Sequence, residues 1–420
     1  MLGLKLTPLN WHPRQWWPQG ASSAIEFIAN RSMFNGLESP LDSILEFSRG
    51  STKLAADASG NYHSFAEDQL ARTNRGASLE PQATELLPRN IFSGVTPARG
   101  SGAFPTGWSV VGPSSEFAEI LAPELVCNVE TQPLRYNGGG EESYAGFRTA
   151  GGLPHSSGTD YWLSLYARLP PGKVAFDLYW YTPLDSEGIA RIVEGAALTP
   201  DWQRFDVARQ AGSTGAREVN LIKTAVLSAD HAIDIALPML REARPGSFIP
   251  TTGSPATRAA DRLALSPVDL GISAASGSLF LRFALDAQAT GQNERLLSLE
   301  GANSAEDCIS IIRDTNGNIV VAVISDGVLQ FERSFDPLPV GETHKIGIAW
   351  GGGSVRVQCG NAAAETIAAT APTSLEALAI GAGLDGAEPT ALWLEALAAY
   401  PSHLDDTAFA AALGDLGGRL

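Results

Sequence analysis

Two runs in the middle of the chain place aromatic, cationic and acidic side chains on the same side of an extended backbone. In Tyr161 to Arg168 the alternation at period two puts Leu163, Leu165 and Ala167 on one face and Trp162, Ser164, Tyr166 and Arg168 on the other. In Val174 to Tyr181 it puts Val174, Phe176, Leu178 and Trp180 on one face and Asp177, Tyr179 and Tyr181 opposite. If the aliphatic side is the core, then Trp162, Tyr166, Arg168, Asp177, Tyr179 and Tyr181 form one aromatic and polar surface. Exposed rings stack on the apolar faces of sugars, and Arg and Asp hydrogen-bond hydroxyls. The competing expectation is that this face packs on a neighbouring domain or subunit, because a patch of that size is rarely left to solvent.

Catalytic chemistry has weaker support. A glycosidase strand would set two carboxylates at alternate positions so that both enter one cleft. The nearest stretch, His231 to Ala236, carries Asp234 alone, and Asp234 reads as a strand residue facing solvent or a partner. There is no G-x-S-x-G elbow, no H-E-x-x-H pair and no phosphate-binding loop with its lysine. The six histidines, His12, His63, His155, His231, His344 and His403, stand singly. Asp314, Asn316 and Asn318 alternate oxygen ligands as a calcium loop would, but no closing glutamate follows, and the Asn-Gly signal of a hairpin turn accounts for them. No catalytic residue, metal or cofactor is therefore expected.

The elements that must position these residues are short strands. With 43 glycines and 26 prolines but only 18% charged residues, the chain is turn-rich and helix-poor. Its 420 residues suffice for two or three domains, since one core seldom grows past about 250 residues. Further strands are expected at Trp202 to Val207, Val219 to Val226 and Ala232 to Leu237. The second half adds Leu279 to Asp286, Arg295 to Glu300, Cys308 to Arg313, Ile319 to Ile324, Val328 to Ser334, His344 to Trp350 and Ser354 to Gln358. A return strand at Leu392 to Tyr400 and a short helix from Leu404 to Leu416 close the chain. The economical fold is all-β, with two β-sandwiches in tandem.

Cys127, Cys308 and Cys359 are far apart, odd in number and without C-x-x-C spacing, which argues for buried thiols and against zinc or a disulfide framework. A formal charge of −17 opposes nucleic-acid binding and anionic membranes. No secretory signal and no run of about 18 apolar residues is present, so no membrane insertion is expected. Residues 1–45 read as an extended arm in which Trp11, Trp16 and Trp17, broken by Pro8, Pro13 and Pro18, are attachment anchors or pack on the chain's own next domain.

Residues 46–88 open with Phe47-Ser48-Arg49-Gly50-Ser51, pass a turn at Gly60-Asn61, and close on Leu79-Glu80 and Leu86-Leu87. This stretch resembles a collar segment that many bacteriophage virion proteins place before β-sandwich domains. Gly50 departs from the usual alanine there and Glu85 from the usual asparagine. Residues 89–255 resemble jelly-roll carbohydrate-binding modules at Gly107-Trp108, Tyr161 to Arg168, Thr199 to Arg204 and the exit Phe248-Ile249-Pro250-Thr251, followed by Thr257-Arg258-Ala259-Ala260-Asp261. Residues 256–420 look like a laminin-G or concanavalin A-like lectin domain at His344 to Trp350, Gly351-Gly352-Gly353 and Val355-Arg356-Val357.

Taken together, these resemblances imply a non-enzymatic virion protein, a tail fibre or spike subunit that displays its sandwiches for recognition of host-surface glycans. They further imply virion localisation, attachment to other virion proteins through the N-terminal segment, a host polysaccharide as partner, and a homo-oligomer, by resemblance a trimer. The alternatives are a purely architectural head or tail protein that binds no sugar, and, from the enzyme class, a polysaccharide depolymerase.

Overall fold

The computed structural model describes residues 16–93, 98–99, 104–105, 107–111, 118–138, 145–181, 189–242 and 246–416. Over these the chain is all-β: antiparallel sheets built from short strands, with one helix of more than one turn, Asp406–Asp415. It forms two compact units, each discontinuous in sequence. One comprises residues 1–47, 74–79 and 262–420, the other residues 48–73 and 80–261.

In the second of these units, the five-stranded sheet runs in the order Trp108–Val111, Ala145–Thr149, Asn220–Lys223, Leu178–Tyr181, Ile189–Val193. Its six-stranded partner runs Ala98–Arg99, Ala118–Ile120, Leu134–Asn137, Ala232–Arg241, Asp160–Arg168, Gln203–Gln210. Alternation at period two sends Leu163, Leu165 and Ala167 from one sheet, and Leu178, Trp180, Leu221 and Phe147 from the other, into one shared core. Tyr136 joins its two halves: the ring lies 5.6 Å from Phe147 and 5.3 Å from Phe176.

The other unit is a second sandwich, and its strands fall where the alternation predicts them. One sheet follows the order Leu37–Ser39, Arg31–Phe34, Ser23–Glu26, Leu392–Tyr400, Gly277–Leu285, Thr343–Gly351, Ser354–Cys359, Glu365–Ala368. The facing sheet includes Val328–Phe335, Ile319–Ser325, Cys308–Arg313, Glu294–Glu300, Ala377–Ile380 and Arg262–Leu265 in that order. The terminal helix begins where the Asp405 carboxylate accepts the Ala408 N–H at 2.8 Å. It packs Phe409 4.9 Å from the Phe280 ring, covering the outer side of the first sheet.

The structure redraws the sequence-based boundaries. The stretch expected to be an attachment arm is, at Ser23–Glu26, a strand paired with Ala396 to Ala399 near the other end of the chain. The expected collar over 46–88 is likewise no separate piece. Lys53–Ala56 and Tyr62–Phe65 form a hairpin in one unit, whereas Gly76–Leu79 pairs with Leu392 to Leu394 in the other. The cause is that alternation reports only which side of a strand is apolar, and says nothing about a partner hundreds of residues away.

Candidate functional site

The aromatic face expected from the sequence divides between two sheets. Trp162, Tyr166 and Arg168 lie on a strand of the six-stranded sheet, and Tyr179 and Tyr181 on a strand of the five-stranded sheet, with Asp177 just before it. The turn at Pro170-Pro171-Gly172 does not close a hairpin between the runs but carries the chain from one sheet to the other. The second strand is also shorter than Val174 to Tyr181: Leu178–Tyr181 is regular, and Val174 makes only an isolated bridge to His231. The two groups therefore point away from each other across a common core.

On the six-stranded sheet the unit covers its own outer face. Tyr166 is buried, and its hydroxyl meets that of Tyr62 at 3.1 Å, with the rings edge to face at 6.3 Å. Val126, Val129, Ala236, Leu237, Met239 and Phe248 complete this second apolar cluster. Burial pushes the Tyr166 phenol far above its ordinary range. Arg168 is equally committed. Its guanidinium donates to Glu124 Oε1 at 2.7 Å, to Glu124 Oε2 at 3.1 Å and to Asp234 Oδ2 at 3.0 Å, and it lies 4.4 Å from the centre of the Trp202 ring. Asp234 does not face solvent: it is fully buried and also accepts from Arg135 Nε at 2.6 Å and Arg135 Nη2 at 3.1 Å. Trp162 is half-buried on the same strand, opposite Ala208 and Arg241. These residues hold the unit together.

The five-stranded sheet presents a different outer face. Leu178 and Trp180 point into the core, so Tyr179 and Tyr181 point away from it, and both rings are partly exposed. Register then aligns two rows across the strands. One row reads Ser109, Arg148, Asn220, Tyr181, Ile189; the other reads Val111, Gly146, Ile222, Tyr179, Arg191. Arg148 donates to Ser109 Oγ at 3.1 Å and to Glu218 Oε2 at 3.3 Å. Asp177 accepts the Gly195 N–H at 2.9 Å, the Arg191 guanidinium at 3.2 Å and the Tyr179 hydroxyl at 3.3 Å. Burial alone would raise the Asp177 carboxyl. The Gly195 N–H and Arg191 outweigh it and hold the group below its ordinary value.

This face brings aromatic and polar groups together. Two phenol rings on a rigid sheet offer flat apolar surface, and the flanking guanidinium and hydroxyl groups supply donors, whereas the Asn220 amide is buried and donates to the Tyr181 and Glu218 carbonyls. Asp177 serves as an orienting group for Tyr179 and Arg191. Sequence reasoning put the two tyrosines on one face but did not place Arg148, Arg191, Asn220 and Ser109 on it with them. A local signal existed in Ala145-Gly146-Phe147-Arg148-Thr149, where alternation sets Arg148 opposite Phe147, but nothing local places that strand two removed from Tyr181.

Of the expected attachment anchors, Trp11 lies outside the described residues. Trp16 packs on its own unit: its indole N–H donates to Glu38 Oε1 at 2.9 Å, and the Arg31 guanidinium sits 4.8 Å from its ring centre. Trp17 meets Trp16 edge-on at 5.5 Å. Among the described residues no group of three or more His, Cys, Asp or Glu is placed to hold a metal ion. Asp314 Oδ1 instead accepts the N–H groups of Asn316 and Asn318 at 2.8 and 2.9 Å, which closes the hairpin turn. All three cysteines are free thiols, and burial pushes that of Cys359 up to about 12.

No protein-family model matches the chain, and no curated protein matches it. Among solved structures, similarity extends to the Ruminococcus gnavus IT-sialidase CBM40 bound to alpha2,3 sialyllactose. That match has 13% identity and a TM-score of 0.30, over 35% of this chain and 85% of that one. A Bacillus licheniformis β-glucanase matches at 13% identity and a TM-score of 0.27, over 34% of this chain and 72% of that one. The NanB sialidase from Streptococcus pneumoniae matches at 13% identity and a TM-score of 0.28, over 34% of this chain and 25% of that one. All three matches are weak, and the likeness is one of fold.

Proposed function

We propose that the chain is a non-enzymatic glycan-binding protein and that the outer face of the five-stranded sheet is its binding surface. The observation that carries this reading is that one sheet face bears the partly exposed rings of Tyr179 and Tyr181, with Arg191 beside Tyr179 and Arg148 two strands from Tyr181. The absence of catalysis is part of the proposal. It is supported by the commitment of Asp177 to Arg191 and a backbone N–H, and of Asp234 to two arginines.

The wider setting we propose is a phage-type virion, in a tail fibre or spike. Support comes from the sequence resemblance at Phe47-Ser48-Arg49, Leu79-Glu80 and Ile249-Pro250-Thr251. In that setting the chain is a homo-oligomer, contacts other virion proteins, and turns weak single-site binding into firm attachment through several copies. A glycan array probed with the intact chain tests the binding reading. Tyr179→Ala and Tyr181→Ala should each weaken the best hit by about 5- to 10-fold, the equivalent of about 1 kcal/mol per stacked ring. An array without hits, or a double variant that binds as tightly as the parent, would leave the architectural role as the better account.

A further inference from the structure

The unit that contains Tyr179 also buries a lysine against two carboxylates. Lys53 Nζ lies 2.6 Å from Asp261 Oδ2 and 3.3 Å from Glu80 Oε1. The side chains of Lys53 and Asp261 are fully buried and that of Glu80 nearly so. Arg49 Nη1 donates to Asp261 Oδ1 at 3.0 Å, and the Glu80 backbone N–H donates to Asp261 Oδ2 at 2.9 Å. Arg258 bridges the two acids, with Nη2 at 3.0 Å from Glu80 Oε2 and Nη1 at 3.5 Å from Asp261 Oδ2. The Ser247 N–H and hydroxyl fix the same Glu80 oxygen, both at 3.1 Å. A Cβ at Gly246 would stand 2.5 Å from that oxygen, so the chain reserves this space for the carboxylate.

We propose that Lys53 and Asp261 condense within the folded chain to an intramolecular isopeptide bond, with Glu80 moving the proton. An amine held in contact with a carboxyl group has the large effective concentration that such a reaction needs, and burial keeps out the water that would reverse it. The donors already point at the right atoms. Arg49 and the Glu80 N–H lie where the two oxygens of a tetrahedral intermediate would carry charge. Lysine is the one cation of the set able to give up a proton. The Lys53 ammonium passes a proton to Glu80 against an opposing pull, since Lys53, Arg258 and the Ser247 N–H outweigh burial and hold that carboxyl well below its ordinary value, and the freed nitrogen lone pair forms the bond to Asp261 Cγ. One C–O bond of the carboxyl group breaks with its electron pair on oxygen. That oxygen takes the proton from Glu80 and a second one from the attacking nitrogen, and leaves as water. Ammonium and carboxylate become amide and water, with no oxidant, reductant or net change in charge.

Intact mass of the denatured full-length chain decides the matter. The expected wild-type mass is lower than the sequence mass by one water. Trypsin should no longer cut after Lys53, giving one branched peptide that joins residues 50–72 to residues 259–262. Asp261→Asn should lose ammonia in place of water, and Lys53→Met should stay at full mass. Glu80→Gln should also stay at full mass while remaining soluble and folded by circular dichroism. Wild-type protein at its full sequence mass, both fresh and after prolonged incubation, with ordinary cleavage after Lys53, overturns the bond whatever the variants do. Glu80→Gln protein that loses water as readily as the parent overturns the role given to Glu80.

Discussion

The exclusion of Arg168 from the candidate site rests on Asp234 being a structural counter-ion, and Asp234→Ala tests that directly. Its carboxylate is fully buried and accepts from Arg135 Nε, Arg135 Nη2 and Arg168 Nε at 2.6, 3.1 and 3.0 Å. Removing one partner of a buried ion pair costs about 3–5 kcal/mol, because the remaining charge is left without compensation. Two features move the expectation to the low end of that range. The Arg135 and Arg168 side chains keep 24% and 22% of their exposure, so water can partly resolvate them, and Arg168 retains both bonds to Glu124. The expected loss is therefore about 3 kcal/mol, or about 150-fold in the ratio of folded to unfolded chain. Arg135→Ala should cost about 1–2 kcal/mol, because Asp234 would still face Arg168. Urea unfolding followed by tryptophan fluorescence measures both, with Trp202 reporting through its stack on Arg168. If Asp234→Ala falls within about 1 kcal/mol of wild type, the network is not structural. Arg168 would then return as a candidate ligand residue.

Three further substitutions probe the same unit. Burial pushes Glu85 up to about 7 from an ordinary 4.5, against the opposing pull of Arg241 and the N–H groups of Leu240 and Leu87. The folded state thus holds that proton more tightly than the unfolded state. The associated stability, about 3 kcal/mol, is fully present below pH 4.5 and is lost as the pH rises through 7. Urea midpoints should fall across that window in the parent and stay level in Glu85→Gln; parallel profiles would exclude Glu85 as the source. At Gly146 a Cβ would stand 1.9 Å from the Leu221 carbonyl oxygen and 2.8 Å from Ile222 Cα, both backbone atoms that cannot swing aside. Gly146→Ala should lose more than about 3 kcal/mol or fail to fold, whereas Gly50→Ala, with nothing within 4 Å, should stay within about 0.5 kcal/mol. Equal midpoints for these two alanine variants would contradict the close approach of the strands at Gly146.

What the sequence disclosed and what it hid have one physical origin. Leu279 to Asp286 and Tyr161 to Arg168 were legible as strands because apolar residues at every second position need only a neighbouring layer, whichever it is. The turn at Asp314 to Asn318 was legible because its hydrogen bonds lie within the five residues. Ser23–Glu26 was not: Ser-Ala-Ile-Glu carries no alternation, its residues are all buried, and its partner comes from the far end of the chain. Tyr166 and Tyr179 share a pattern, and each stands on the side of its strand away from the core, as alternation requires. They differ in what lies over that side. Over Tyr166 come Tyr62 and Phe248, whose arrival depends on the Lys53–Ala56 and Tyr62–Phe65 hairpin and on the bend after Arg241. Over Tyr179 the contacts described are its own neighbours Asp177 and Arg191, which steady the ring without burying it. An aromatic stripe read from one strand therefore specifies a face, and only the sheet assignment and the covering segments decide whether that face is a site.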